Sequence, residues 1–440
     1  MSTTVLEPDL TREADASSVV LPSAISLFSG AGGLDLGLEH AGWQLLAQVE
    51  MDADCVGTLE LANTRRDGPA AIRPTPIEDV SPADLRAEFG LAPGSLALLA
   101  GGPPCQPFTT SGRRRSIEDP RASTIFPAYF DFVRELRPQA VLVENVDGML
   151  SAALSHRRLV DRGPASPALA PEERKGSFLR WFISQLVELG YSVSWGVVEA
   201  ADHGVPQLRQ RAIVLGVRTD EPCYLPAATH GGPGLPDYRS LREALAGIVD
   251  IGPVQPLSSR KREVYSHIPP GGNWRDLPDA LQRATMGAAY RAEGGKSGWW
   301  RRLSWDAPAP TILGMPDHSS TALIHPDENR CLSVNECAAV QTFPPGSSFA
   351  GSPRSQYQQI GNAVPARLAE RLGAHLLAFL NGARQPAPPA PEWRRRSANR
   401  RIGTHGWAVV RQGRMHVEVK GVRPDHIWHH HQEALPLGAR

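Results

Sequence analysis

The chain has 440 residues, with 46 Lys and Arg balanced by 46 Asp and Glu and 41% hydrophobic side chains. That length allows two or three domains of about 150 residues each, and no apolar run approaches the ~20 residues that cross a bilayer. Zero net charge does not advertise a polyanionic partner. Local excesses do exist: nine Lys or Arg against four Asp or Glu from Arg260 to Arg302, and eleven against four from Ala383 to Arg440. Such patches suit phosphate contacts and equally suit a plain solvated surface. Five scattered cysteines (Cys55, Cys105, Cys223, Cys331 and Cys337) form no CxxC pair. This argues against a disulfide framework and a zinc site, and for a reducing cytoplasm. The opening MSTTVLEPDLTREADASS is polar and acidic, unlike a signal peptide, and residues 1–22 read as a disordered lead.

In chain order, AISLFS (24–29) reads as a strand, and GAGG then turns into a helical pattern that closes at Gly42. WQLLAQVEMD (43–52), IEDV (77–80) and SLALLA (95–100) read as three further strands. A helix is expected from Ala122 to Leu136, a strand over QAVLVENV (139–146), a helix over 177–190, and strands over SVSWGVVEA and RAIVLGVR. Strands alternating with helices over about 200 residues predict an α/β, doubly wound, mostly parallel sheet. Residues 151–176 read as a surface insertion. From 219 to 329 the chain is rich in Pro and Gly without regular periodicity, which reads as a second, smaller and irregular domain. Helical patterning resumes over 333–344 and 366–380. Residues 383–401 read as a Pro/Arg-rich linker, followed by two short strand-like runs, GWAVVRQ and MHVEVKG. The triplet HHH (429–431) is not taken as a metal site, and no metal is expected.

Two stretches concentrate the chemistry. In GGPPCQPFTTSG (101–112), Pro103, Pro104 and Pro107 forbid helix and pin an extended loop directly after an apolar strand. Cys105 is therefore expected just past the carboxyl end of a strand, where open α/β sheets bind ligands. A buried structural cysteine is the competing reading. In LFSGAGGLDLG, Gly30, Gly32 and Gly33 occupy a strand-to-helix turn where a nucleotide can approach the backbone, and Glu50 ends the next strand, placed for ribose hydroxyls. Taken alone, this second signal fits a nicotinamide dinucleotide site equally well.

GGPPCQPF resembles the catalytic loop of the cytosine-C5 DNA methyltransferases, whose nucleophile is the cysteine of a PPCQ or FPCQ run. Further blocks follow in that family's order: FSGAGGLD as its S-adenosylmethionine loop, ENV (144–146), QLRQRAIVLGV (207–217), RCLSVNECAAVQTFP (330–344) and YQQIGNAVP (357–365). The resemblance runs from about Ala24 to Leu380. It implies a Rossmann-like S-adenosylmethionine-dependent fold with a catalytic domain at 23–218, a target-recognition domain at 219–329, a segment returning to the catalytic domain at 330–382, and a basic linker and tail at 383–440.

The resemblance implies Cys105 as nucleophile, Glu144 acting at the cytosine N3, Arg211 holding the cytosine O2, and Arg209 ordering the cysteine loop and a phosphate. It places S-adenosylmethionine over Phe28, Gly30 and Gly32 with Glu50 on the ribose. Asp79 is expected at the adenine amino group, and Pro104, Ile125, Asn362 and Val364 complete the pocket. At Ile125 the family usually has a leucine, a swap conservative in volume. The chemistry asks for these groups on its own terms: C5 of cytosine is a poor nucleophile until a thiolate adds at C6, and charge then develops at N3. The target base must also leave the helical stack. The loop TTSGRRRS (109–116) is expected to close over double-stranded DNA, and 219–329 to read its sequence. A monomer, working beside a restriction endonuclease, is expected. An RNA cytosine methyltransferase on the same scaffold is the alternative, and it would not need a region as long as 219–329.

Overall fold

A computed structural model of the chain describes residues 21–104, 122–157, 159–163, 166–291 and 298–386, and five short tail strands between 395 and 436. The central sheet is built from β1 (Ser23–Leu27), β2 (Gln44–Val49), β3 (Ala71–Arg73), β4 (Leu98–Gly101), β5 (Ala140–Asn145) and β6 (Ser192–Glu199). After the two-residue β7 (Gln207–Leu208) comes β8 (Gln210–Val217). The strand order is β6-β8-β5-β4-β1-β2-β3. Pairs from β3 to β5 are parallel, and β8 enters antiparallel between β5 and β6.

Both faces of this sheet are covered, which is why its strands are near-continuous apolar runs. On one face Ile25, Leu27, Leu99, Val141 and Val143 pack with the aromatic faces of α4 (Ala122–Leu136) and α6 (Ser177–Glu188), notably Phe126, Phe130, Phe178 and Phe182. On the other, Ala24, Leu98, Ala100 and Leu142 pack with α1 (Gly33–His40) and α13 (Ala366–Leu380). The α1–α13 contact needs glycine. A Cβ on Gly37 would lie 2.3 Å from Ala366 O and 2.4 Å from Ala369 Cβ. Trp43 Nε1 donates to Gly373 O at 3.1 Å and closes the same seam. Residues near 370 are thereby locked to the first βα unit.

Several expectations are corrected. IEDV is not a strand: Ile77–Asp79 is a single 3₁₀ turn, and the outer strand is β3, three residues between prolines. Two helices without a predicted counterpart, α2 (Ala53–Asn63) and α3 (Pro82–Glu88), fill the first crossovers. The excursion 151–176 closes at its base, where Gly176 N and Phe178 N both donate to Ala152 O. Between 219 and 329, α8 (Ser259–Ser266), α9 (Asp279–Met286) and α10 (Ala288–Arg291) surround a small core of their own, while α7 (Leu241–Leu245) packs in another cluster with Val334, Tyr357 and Ile360. Arg302, the last residue of the basic stretch that starts at Arg260, is buried against that core. It donates to the carbonyls of Tyr265, Ile268, His325 and Glu328 at 2.6–2.9 Å.

The tail is more than a tether. β12 (His405–Arg411) and β13 (Arg414–Lys420) form a hairpin, and β12 pairs antiparallel with β6, from His405 opposite Gly196 to Ala408 opposite Val193. Ala408 is fully buried against the face of α6. The hairpin thus covers the edge that β6 would otherwise present, and uncovered edges pair with other chains. None of the described helices is long and apolar enough to cross a membrane. Deleting 384–440 is expected to lower the thermal unfolding midpoint and to produce self-association in size-exclusion chromatography. An unchanged midpoint and elution volume would show that the hairpin does not hold the sheet.

Candidate active site

The site forms at the carboxyl ends of β1, β4 and β5. Glu144 is the penultimate residue of β5 and pairs in register with Ile213 of β8. Arg211 lies two residues before Ile213, so the period-2 alternation of a strand returns it to the face that carries Glu144. The two side chains meet, with Arg211 Nε 2.9 Å from Glu144 Oε1, and both are nearly buried. The approach is an ion pair without hydrogen-bond alignment: among the described residues Glu144 Oε1 has no hydrogen-bond donor. Arg211 Nη1 donates to Gln210 O at 2.7 Å, which fixes the guanidinium plane. A buried carboxylate oxygen without a donor is costly in a finished core and fits a group waiting for a ligand.

Beside this pair runs the start of the cysteine loop. A Cβ on Gly102 would lie 3.2 Å from Glu144 Oε2, so glycine lets the chain pass close to the carboxylate. Asn145 Nδ2 donates to Pro103 O at 2.8 Å, in a buried hydrogen bond that holds the loop against the end of β5. Asn145 is a positioning residue that sequence reasoning missed; its signal was an amide directly after Glu144 in ENV. Cys105 and the loop 109–116 lie outside the described residues. The other four cysteines are free thiols, and burial pushes those of Cys223 and Cys331 up to about 12. Burial raises those of Cys55 and Cys337 as well. None of these four offers a thiolate near neutral pH.

Arg209 sits in the break between β7 and β8. Its side chain is 1% exposed and does not join Glu144. It donates to Ile312 O at 3.2 Å and to Gly361 O and Ala363 O, both at 2.9 Å. Gln207 and Gln341, fully buried, extend this hub: Gln207 Oε1 accepts from Ile312 N, Gln207 Nε2 donates to Gln341 Oε1, and Gln341 Nε2 donates to Ile360 O. Arg209 therefore ties the start of β8 to the 361–363 turn.

That turn forms one wall of a cradle. Phe28 adopts φ 58°, a left-handed conformation costing roughly 1–3 kcal/mol for a bulky residue, with Gly30 at 55° and Gly32 at 76° after it. Gly30 N and Asp52 N donate to the two oxygens of Glu50 at 2.7 and 2.8 Å. A Cβ on Gly33 would sit 2.3 Å from Val364 O. The glycine loop and the 361–364 turn therefore touch, with exposed Asn362 at the lip and Val364 buried in the seam. Asp79 is exposed at the end of its 3₁₀ turn, Pro104 is half-buried, and Ile125 sits in the core cluster against which Phe28 packs.

Under the glycine loop, Asp35 is fully buried and accepts from Ser26 Oγ and Gln48 Nε2, while Ser29 Oγ donates to Ser26 Oγ at 3.0 Å. Burial raises the Asp35 carboxyl above its ordinary range, partly offset by those hydrogen bonds and by Arg66.

The family model for C-5 cytosine-specific DNA methylases matches residues 23–163 and 169–378. The chain belongs to that family. It is a DNA cytosine-5-methyltransferase, and its fold is the Rossmann-like one of such enzymes. The Type II methyltransferase M.Sau96I of Staphylococcus aureus is 34% identical over 360 residues, spanning 80% of this chain and 75% of the relative. M.PspPI of a Psychrobacter strain is 36% identical over 375 residues, spanning 82% and 80%. Among solved structures, a prophage-encoded DNA modification methyltransferase of Escherichia coli and Schizosaccharomyces pombe Dnmt2 share the fold at TM-score 0.53, with 22% and 15% identity. Each match covers 82% of this chain and 99% of the other.

Asp35 gives the methyltransferase a pH signature. A raised carboxyl favours the folded state fully below its unfolded-state pKa, and that contribution is lost as pH rises through the folded-state value. Asp35→Asn, which carries no proton to lose, should therefore gain stability relative to wild type as pH increases. Denaturant midpoints measured at pH 5 and pH 8 check this: the difference between the variant and wild type should be more positive at pH 8.

Proposed function

We propose that the methyltransferase acts by thiolate addition from Cys105, with Glu144 and Arg211 as the groups that engage the cytosine. The observation that carries this is the Arg211–Glu144 pair, 2.9 Å apart, beside the glycine–proline run that leads to Cys105. The Cys105 thiolate adds to C6 of an extruded cytosine, and the electron pair moves toward N3. Glu144 supplies a proton or hydrogen bond at N3 as charge develops there. Arg211 holds the O2 side of the ring and keeps Glu144 in place. After C5 is methylated, its proton leaves and the thiolate is expelled, restoring the aromatic ring and the free cysteine.

The cradle fits S-adenosylmethionine: the left-handed turn at Phe28, Gly30 and Gly32 exposes backbone to the ligand, and Glu50 presents a carboxylate suited to vicinal ribose hydroxyls. Asp79, Pro104, Ile125, Asn362 and Val364 line the remainder. When bound, this cofactor supplies an electrophilic methyl group on a sulfonium. Arg209 serves as a positioning residue rather than a contact to substrate. Residues 219–329 read the DNA sequence. The enzyme works as a monomer in the cytoplasm, protecting host DNA from a paired endonuclease.

Tritiated methyl transfer to duplex DNA and to tRNA separates this reading from RNA methylation, and bisulfite sequencing of DNA from a host expressing the protein defines the site. Cys105→Ala is expected to abolish transfer while leaving cofactor affinity intact. Glu144→Gln should lower kcat by roughly 10²–10⁴-fold. Full turnover by Cys105→Ala, or transfer to tRNA alone, would overturn the proposal.

A further inference from the structure

Phe28 stands at φ 58° directly before the glycines of the cradle. A side chain of that size rarely adopts left-handed backbone, and it stays there only where neighbouring contacts impose it. Those contacts converge on the next residue. Ser29 N donates to Val49 O at 3.2 Å, Ser29 O accepts from Gly32 N at 2.9 Å, and Ser29 Oγ donates to Ser26 Oγ at 3.0 Å. Ser29 is therefore held through its backbone and its side chain at once, and it is 7% exposed.

The side-chain tie is rooted in the core. Ser26 Oγ donates to Asp35 Oδ1, and Gln48 Nε2 donates to Asp35 Oδ2. Ser26 and Gln48 face each other in the β1–β2 register, so one α1 carboxylate reaches both strands. Arg66 braces the far side, with Nη1 donating to Gln48 Oε1 at 3.2 Å and Nη2 to Glu39 Oε2 at 2.8 Å. Ser26, Asp35 and Gln48 are fully buried, where a missing partner is not replaced by water. Asp35 thus joins the two walls of the cradle. On β1 it holds the Phe28 turn through Ser26 and Ser29, and on β2 it holds Gln48, two residues before Glu50, to which Gly30 N donates at 2.7 Å.

We infer that Ser29, anchored through Ser26 on Asp35, is a clamp that holds the strained Phe28 turn in its cofactor-binding conformation before the cofactor arrives. Ser29 and Asp35 are positioning residues, and the inference rests on the S-adenosylmethionine reading of the cradle proposed above. When a binding-competent conformation is only partly populated, apparent affinity falls by that fraction. The clamp keeps the fraction near one although Phe28 itself disfavours the turn. A glycine at position 28 enters positive φ freely and has little need of a clamp.

The test uses the full-length protein as wild type, Ser29→Ala, Phe28→Gly and the double variant. S-adenosylmethionine affinity is measured by titration calorimetry without DNA, and hydrogen exchange of residues 28–32 is followed without cofactor. Ser29→Ala removes only the hydroxyl. It should weaken affinity about fivefold or more and speed exchange at Gly30 and Gly32, with kcat at saturating cofactor unchanged. In the Phe28→Gly background the same substitution should cost no more than about twofold. Equal losses in the two backgrounds, no loss in either, a lower kcat or unaltered exchange would overturn the clamp. A wild-type protein that does not bind S-adenosylmethionine would overturn the cofactor reading itself, and the clamp with it.

Discussion

The ion pair between Arg211 and Glu144 depends on the register between β5 and β8. Glu144 faces Ile213, so Arg211 falls on the same side of the sheet. A slip of one residue would turn Arg211 to the opposite face. What fixes the register is the antiparallel entry of β8 between two buried strands, with Ile213, Val214 and Leu215 fully buried. The cysteine loop is then attached to the same strand end by the Asn145–Pro103 hydrogen bond. A carboxylate, a guanidinium and the root of the cysteine loop are therefore held by two adjacent strands and one amide.

The rest of the molecule supports that arrangement from below and from the side. Arg209 and the Gln207–Gln341 pair are buried, and the Arg209 guanidinium and the two amides bond to backbone carbonyls, a backbone N–H and each other. Such a network is costly if one member is removed, because its partners are left unsatisfied. It fastens the 361–364 turn, which Gly33 allows to rest on the glycine loop, while Gly37 admits α13 beside it. The chain runs some 330 residues between these two walls, and helix packing without Cβ atoms brings them into contact.

Much of this was legible in the sequence because the chemistry demands particular residue types in short runs. The α4 and α13 boundaries follow their apolar periodicity, and the blocks around Gly30, Glu144 and Arg211 announce strand ends by their glycines and charges. Arg209 lies in the break between β7 and β8, where period 2 does not hold. IEDV, two acids between two β-branched residues, is too short to show a period, and three residues after Pro76 close a 3₁₀ turn; the outer strand, AIR, is shorter still. The burial of Arg302 was not legible, because an arginine spent on carbonyls has no signature of its own in a Gly- and Pro-rich stretch. The hairpin at 405–420 was visible as two strand-like runs, but nothing local says that its partner is β6, because pairing over some 200 residues leaves no local trace.

The central claim is that Cys105 becomes covalently attached to the cytosine engaged by Glu144 and Arg211. Incubating the enzyme with S-adenosylmethionine and a duplex bearing 5-fluorocytosine at the target position tests it directly, since fluorine cannot leave as the C5 proton does. The expected result is a denaturation-resistant protein–DNA complex whose peptide map places the modified base on Cys105 and which Cys105→Ala does not form. An adduct on another cysteine, or no adduct from an enzyme that methylates the unmodified duplex, would contradict it.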